Sequence, residues 1–122
     1  MADSIIKSKI ETIEVSPPSS INVANNQWVN AGSVTMDEGI WLVLFGGAFA
    51  SNATGHRDIT FSTTPSAGRF SPTSAAVNGE QTRMSGSMTI HIITETTYSL
   101  YARQNSGGAL QFYPYIQVVK LV

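Results

Sequence analysis

The chain contains no cysteine. That excludes a disulfide framework and any zinc site built on thiolates. Charge is scarce as well: Lys and Arg number 7, Asp and Glu number 8, and the formal net charge is −1 over 122 residues. Proteins that hold nucleic acid do so through a basic stripe, so no nucleic-acid partner is expected. Long apolar runs are also missing. The longest, Ile40 to Phe45, falls far short of the roughly 20 residues that a membrane-spanning helix needs, and no membrane insertion is expected. Met1-Ala2-Asp3-Ser4 lacks a basic stretch leading into an apolar one, so no signal peptide is read. Only two histidines occur, neither with acids at ligand spacing, so neither a metal nor another cofactor is expected. No Gly-x-Ser-x-Gly elbow is present. Serines abound, so counting leaves a Ser-His-Asp triad open. Paired carboxylates for glycoside hydrolysis would need two of only eight acids in one cleft. The expectation is a protein that is not an enzyme.

What the chain does have is hydroxyl groups. Ser and Thr make 27 of the residues, and Asn and Gln add 12. Leu is scarce, and few Glu or Lys residues are available to coat the wet faces of helices. Thr, Val, Ile, Tyr and Phe suit a pleated surface, and the ten Gly and five Pro fall mostly between apolar runs as turn punctuation. At this length one domain with a single core is expected.

Charge is unevenly placed. Asp3, Lys7, Lys9, Glu11 and Glu14 put five of the fifteen charges into the first fourteen residues. There Ile6, Ile10 and Ile13 are spaced four and then three, which is coiled-coil spacing. Two helical turns do not hold alone, so the segment is either the stub of a helical stalk or an amphipathic helix or strand packed on the domain. Val15-Ser16-Pro17-Pro18-Ser19-Ser20 then reads as a linker. Residues 1–20 are accordingly a stalk and linker, and residues 21–122 a head domain.

The head has period two. Ile21 to Val23 and Gln27 to Val29 are short strand candidates, with Gly32 to Met36 continuing after a bend. Asp37-Glu38-Gly39 is a turn. Ile40 to Ala50 is the strongest strand, apolar on both faces and expected to be buried on both. Gly46-Gly47 within it suggests a bulge or the close approach of another backbone. Arg57 to Thr63 alternates, with Ile59 and Phe61 on one side. Thr64 to Gly79, with Pro65 and Pro72, is a long loop. In Thr82 to Ile93, Met84, Gly86, Met88, Ile90 and Ile92 oppose Ser85, Ser87, Thr89 and His91. In Thr97 to Gln104, Tyr98, Leu100 and Ala102 oppose Ser99, Tyr101 and Arg103. Asn105-Ser106-Gly107-Gly108 is a hairpin turn, and Leu110 to Val122 a last strand bent or interrupted at Pro114. Strands at roughly ten-residue spacing predict an all-β sandwich or jelly roll.

His56-Arg57-Asp58 is the densest polar chemistry: an imidazole, a guanidinium and a carboxylate suited to a sugar or an anion. On a strand, His56 and Asp58 share one face and Arg57 takes the other. The plainer reading of the triplet is a solvated strand start with a structural Arg–Asp contact. His91 reads as a surface or interface residue. Gln104 and Asn105 at a loop tip, and Tyr113, complete the candidate ligand-binding set. Trp41, Phe45, Phe61 and Phe112 read as core, whereas Tyr113 and Tyr115 fall on the side opposite Phe112. Val118 and Val119 are likewise apolar on both sides. A sheet with two apolar faces needs a partner, and closed symmetric homo-oligomers are the usual answer.

From Trp41 to Thr63, a buried strand is followed by the small-residue loop Ser51-Asn52-Ala53-Thr54, then Gly55-His56-Arg57 and a second strand. This stretch resembles phage tail and baseplate domains. Tyr98 to Leu110, with Gln104-Asn105-Ser106-Gly107-Gly108, is similar to the penultimate hairpin of that group, and Ile116 to Val122 to its final strand. The resemblance covers about residues 28–122, and the hairpin is its best marker. It implies a homotrimeric jelly roll of the tumour-necrosis-factor and complement C1q head type, located in the virion at the cell-contacting end of a tail and made in the bacterial host cytoplasm. The implied partners are identical chains, other tail or baseplate proteins and a host cell-wall saccharide. A purely structural connector or decoration domain is the alternative. The short N-terminal segment is a departure: a full adhesin carries a longer anchor, which implies a fragment or a small accessory protein.

Overall fold

The computed structural model describes residues 11–15, 19–66, 72–77 and 79–122. Within these, the strands in chain order are β1 (Glu11–Val15), β2 (Ile21–Val23), β3 (Val29–Met36), β4 (Gly39–Phe49), β5 (His56–Ser62), β6 (Thr73–Ala75), β7 (Thr82–Ile92), β8 (Thr96–Gln104) and β9 (Leu110–Lys120). One sheet has the order β1-β9-β4-β7, with β2 also paired to β9; the other has the order β3-β8-β5-β6. Every named pair is antiparallel. The architecture is the expected all-β sandwich.

Alternation builds the core. Trp41, Val43, Phe45 and Phe49 of β4, and Phe112, Ile116 and Val118 of β9, point inward from the first sheet. Ile59 and Phe61 of β5, with Leu100 and Ala102 of β8, meet them from the second. Phe61 bridges the layers, with its ring 5.7 Å from Phe45 and 5.5 Å from Tyr98. Such offset ring pairs add to the burial of apolar area. β7 alternates as the pattern requires, with its Ser, Thr and His91 side exposed.

Several expectations are corrected. The helix-or-strand choice for the N-terminal segment resolves to a strand over Glu11–Val15, which pairs with Val15↔Ile116 through Glu11↔Lys120. Ile6, Ile10 and Pro17-Pro18 lie outside the described residues, and so does most of the proposed stalk and linker. β4 is not buried on both sides in the single chain: Trp41, Val43 and Phe45 are inside, but Ile40, Leu42 and Leu44 on the other face are only half-buried. No bulge occurs at Gly46-Gly47. β4 keeps register with β7 and with β9 throughout. Close approach is the reason for these glycines, because a Cβ on Gly46 would meet the Met84 carbonyl and Ser85 Cα, and one on Gly47 the Tyr113 carbonyl and the Phe112 ring. The bulge is in β3, where register shifts between Asn30 and Gly32 and Asn30 Oδ1 accepts the Gly32 N–H at 2.8 Å. Pro114 interrupts nothing. It pairs with Gly47 on one side and on the other falls between the stretch paired with β2 and the stretch paired with β1, where among the described residues no strand needs its missing N–H. The long loop after Thr63 contains β6, which pairs with β5.

Candidate functional site

The Gly55-His56-Arg57 step has a physical reading. Asn52 Oδ1 accepts the Thr54 N–H at 2.8 Å, turning the chain. Gly55 follows at φ +82°, where a Cβ would collide with the backbone and side-chain oxygens of Asn105, so glycine is required both by conformation and by space. Arg57 then enters the sandwich fully buried. Its Nη1 donates to the Thr54 carbonyl at 2.8 Å and the His56 carbonyl at 3.1 Å, and Nη2 to the Asn52 carbonyl at 2.9 Å. Phe49 lies 6.0 Å beneath the guanidinium. Burial pushes the Arg57 pKa below its ordinary value. Arg57 is therefore a clamp on its own loop, and Gln104 is a clamp on the hairpin it closes. Gln104 is 1% exposed; Nε2 donates to the Val23 and Gly108 carbonyls at 2.8 and 2.7 Å, and Oε1 accepts the Ser106 N–H at 2.7 Å. Both were candidate ligand groups; backbone engages both Nη atoms of Arg57 and both amide atoms of Gln104, while Arg57 Nε is buried with no partner among the described residues.

The opposite side of the same strand ends is different. His56 is exposed and its imidazole has no partner among the described residues. Asp58 pairs in register with Arg103, its Oδ2 accepting from Nε at 3.3 Å and Nη2 at 3.2 Å, while Oδ1 accepts the Thr73 hydroxyl at 2.7 Å. Trp28 stacks under Arg103, 4.9 Å from the guanidinium carbon. Asn105 lies beside His56 and accepts its backbone N–H through Oδ1. Asn26, left-handed at φ 60°, donates its N–H to the Gln104 carbonyl at 2.8 Å. Together Asn26, His56, Asp58, Thr73, Arg103, Gln104 and Asn105 line a polar depression of about 250 Å³. That is smaller than the clefts of about 300–1,000 Å³ that enclose drug-sized ligands, and suits one small polar group. It presents a half-exposed guanidinium, a carboxylate, an imidazole and carboxamides on rigid strands. Among the described residues Asp58 is the one carboxylate in its wall, and the Thr73 hydroxyl donates to that carboxylate rather than to an imidazole. Among the described residues no cluster of three or more His, Asp or Glu is placed to hold a metal ion.

Of the six candidate residues, the fold thus unites His56, Asp58 and Asn105 at this depression, with Gln104 beneath it. Arg57 turns inward. Tyr113 is on the other sheet, exposed, in a groove with Tyr115. Sequence reasoning missed Asn26, Thr73 and Trp28, because their relation to Asp58 is set by strand pairing and loop packing across long chain separations. Arg103 had a legible signal, its place on the polar side of an alternating strand.

No protein-family model matches the chain, and no curated protein does. Solved structures do resemble it. The VP2 subviral particle of infectious bursal disease virus aligns over 92% of this chain and 32% of that one, at 14% identity and a TM-score of 0.61. Its T=1 particles align comparably, with 15% identity and a TM-score of 0.60, over 92% and 31%. Eiger TNF from S. frugiperda aligns over 93% of this chain and 94% of that one, at 13% identity and a TM-score of 0.50. The chain spans about a third of the VP2 chains and nearly the whole of the Eiger chain. At these identities what is shared is the fold. It is a jelly-roll β-sandwich.

Proposed function

We propose that the chain is a homotrimeric, non-enzymatic head of a phage tail-tip protein that attaches the virion to host cell-wall saccharide. The observation that carries the reading is the polar depression over Asp58. Its carboxylate and guanidinium are held in place by each other, by Thr73 and by Trp28, so a hydroxylated ligand meets donors and acceptors that need no reordering. His56 and the outer edge of Arg103 are open to it. Trimer formation is supported by the first sheet's outer face, where Ile40, Leu42, Leu44 and Val119 form a half-buried apolar strip that identical chains would cover. A shallow site binds weakly, but three on one rigid head gain avidity without new contacts. The phage assignment rests on the Gly55-His56-Arg57 step and the Gln104–Gly108 hairpin described above. The jelly roll is also a fold that a viral particle uses.

A structural connector of the virion is the second reading. It is favoured by Asp58 having both oxygens already engaged, which fits a role in the fold alone. Binding of the protein to host cell-wall polysaccharide, measured for the wild type, His56→Ala and Arg103→Ala, separates the two. Adhesion predicts at least a tenfold loss in both variants. Absence of cell binding, with tight association to another tail protein, would establish the connector. Release of reducing sugar from the polysaccharide would refute both.

A further inference from the structure

On the first sheet's outer face, three adjacent strands set side chains in rows. Tyr113 of β9, Ala48 of β4 and Arg83 of β7 form one row; Tyr115, Gly46 and Ser85 form the next. Strands lie about 4.8 Å apart, so the tyrosine wall and the Arg83 wall stand about 9–10 Å apart across a floor of glycine and alanine. The result is a groove of about 470 Å³. Its low floor is enforced, since a side chain at Gly46 has no room beside the Met84 carbonyl. Farther along the same face the central strand carries Leu44 and Leu42 instead, and the groove closes.

Tyr113 and Tyr115 remain 43% and 49% exposed, and Tyr115 is steadied by its hydroxyl, which donates to Gln117 Oε1 at 3.0 Å. Across from them, Arg83 Nη2 has a weak contact at 3.5 Å to Gln81 Oε1. Among the described residues no carboxylate lines the groove and Arg83 forms no ion pair. An uncompensated guanidinium facing two tyrosine rings over a flat floor is complementary to a flat ring that carries an anion. We infer that this groove binds a pyranose bearing a carboxylate or phosphate, its C–H face on the tyrosines and its anion on Arg83, with Gln81 and Ser85 for hydroxyls.

This site is separate from the Asp58 depression, on the opposite sheet, and does not rest on that reading. It begins one row beyond Leu44, the near end of that apolar strip, so it requires a trimer that closes toward Ile40 and Val119 and leaves the groove at its rim. The probes are glucuronic acid, glucose 6-phosphate and methyl glucoside, titrated into the intact protein in its native oligomeric state, with the tyrosine ring resonances followed by NMR. Tyr113 and Tyr115 are expected to shift with one or both anionic sugars, and at least tenfold more weakly with the neutral one. Arg83→Gln should bring the anionic probes to the neutral level, Tyr115→Ala should weaken all three, and Asp58→Ala should change none. The two anionic arms tell uronate from sugar phosphate. Equal binding of neutral and anionic sugars, no response of either tyrosine, tyrosines sealed in the oligomer, or loss in Asp58→Ala with Arg83→Gln unaffected would each overturn the inference.

Discussion

Arg57 is the largest of the fully buried side chains, and its charge faces backbone carbonyls of a loop it must hold shut. Arg57→Ala would remove three hydrogen bonds to that loop and leave a cavity beside Phe49, at a cost of about 3 kcal/mol or more, read as a fall in the urea midpoint. Arg57→Lys keeps the charge but loses the planar fork that reaches Asn52 and Thr54 together, and should also destabilise. Because burial lowers the pKa of this base, the fold disfavours its charged form. That penalty is present at every pH below the folded pKa and is relieved only as pH rises through it, so Arg57 contributes a flat term around neutrality. His56 is the counterexample one position away. It is exposed and its ring has no partner among the described residues, so His56→Ala should leave stability within about 0.5 kcal/mol while weakening saccharide binding. The pair separates stability from recognition within two residues, and the sequence signal for that separation was strand alternation alone.

Strand β4 depends on its neighbours coming close. Gly47→Val would drive a branched side chain into the Phe112 ring and the Tyr113 carbonyl, and overpacking of this kind costs about 1–3 kcal/mol. Faster amide exchange along β4 and β9 than in the wild type, with a lower thermal midpoint, is the expected readout. The double glycine was legible only as a bulge or a close approach; that it is close approach, and of which backbone, required knowing that β4 lies between β7 and β9. The same holds for Pro114. A proline inside an apolar run reads as a bend or an interruption, yet here it sits where the far edge of β9 has no strand partner among the described residues. For the N-terminal segment, the isoleucine spacing is that of a helical seam, but two turns left a stalk stub and a helix or strand packed on the domain all open. The free edge of β9 resolved Glu11–Val15 as strand, and deletion of residues 1–15 should deprotect the amides of Ile116–Lys120.

At the scale of the molecule, the face made by Ile40, Leu42, Leu44 and Val119 governs assembly in the proposed reading. Leu42→Glu on that face projects away from the core, so the variant should keep its β-sheet circular dichroism. Light scattering should then give the 13.1 kDa chain mass where the wild type gives three times that value. Cell binding should fall by about 10²-fold or more as avidity is lost. A wild type that already runs as a single chain would remove the trimer from the reading and leave the sandwich intact.

Period-two alternation, turn residues and the shortage of charge sufficed to read an all-β sandwich, the inward set Trp41, Phe45, Phe61 and Phe112, and the outward Tyr113 and Tyr115, because side-chain direction on a strand is a local property of the backbone. Which polar residues meet was settled by packing. Asp58 finds Arg103 across β5 and β8 and Thr73 across β5 and β6, Gln104 is drawn under the hairpin it closes, and Tyr113 faces Arg83 across β4. These are register relations between segments distant along the chain, and register follows from how whole sheets bury their apolar faces, which no local pattern encodes.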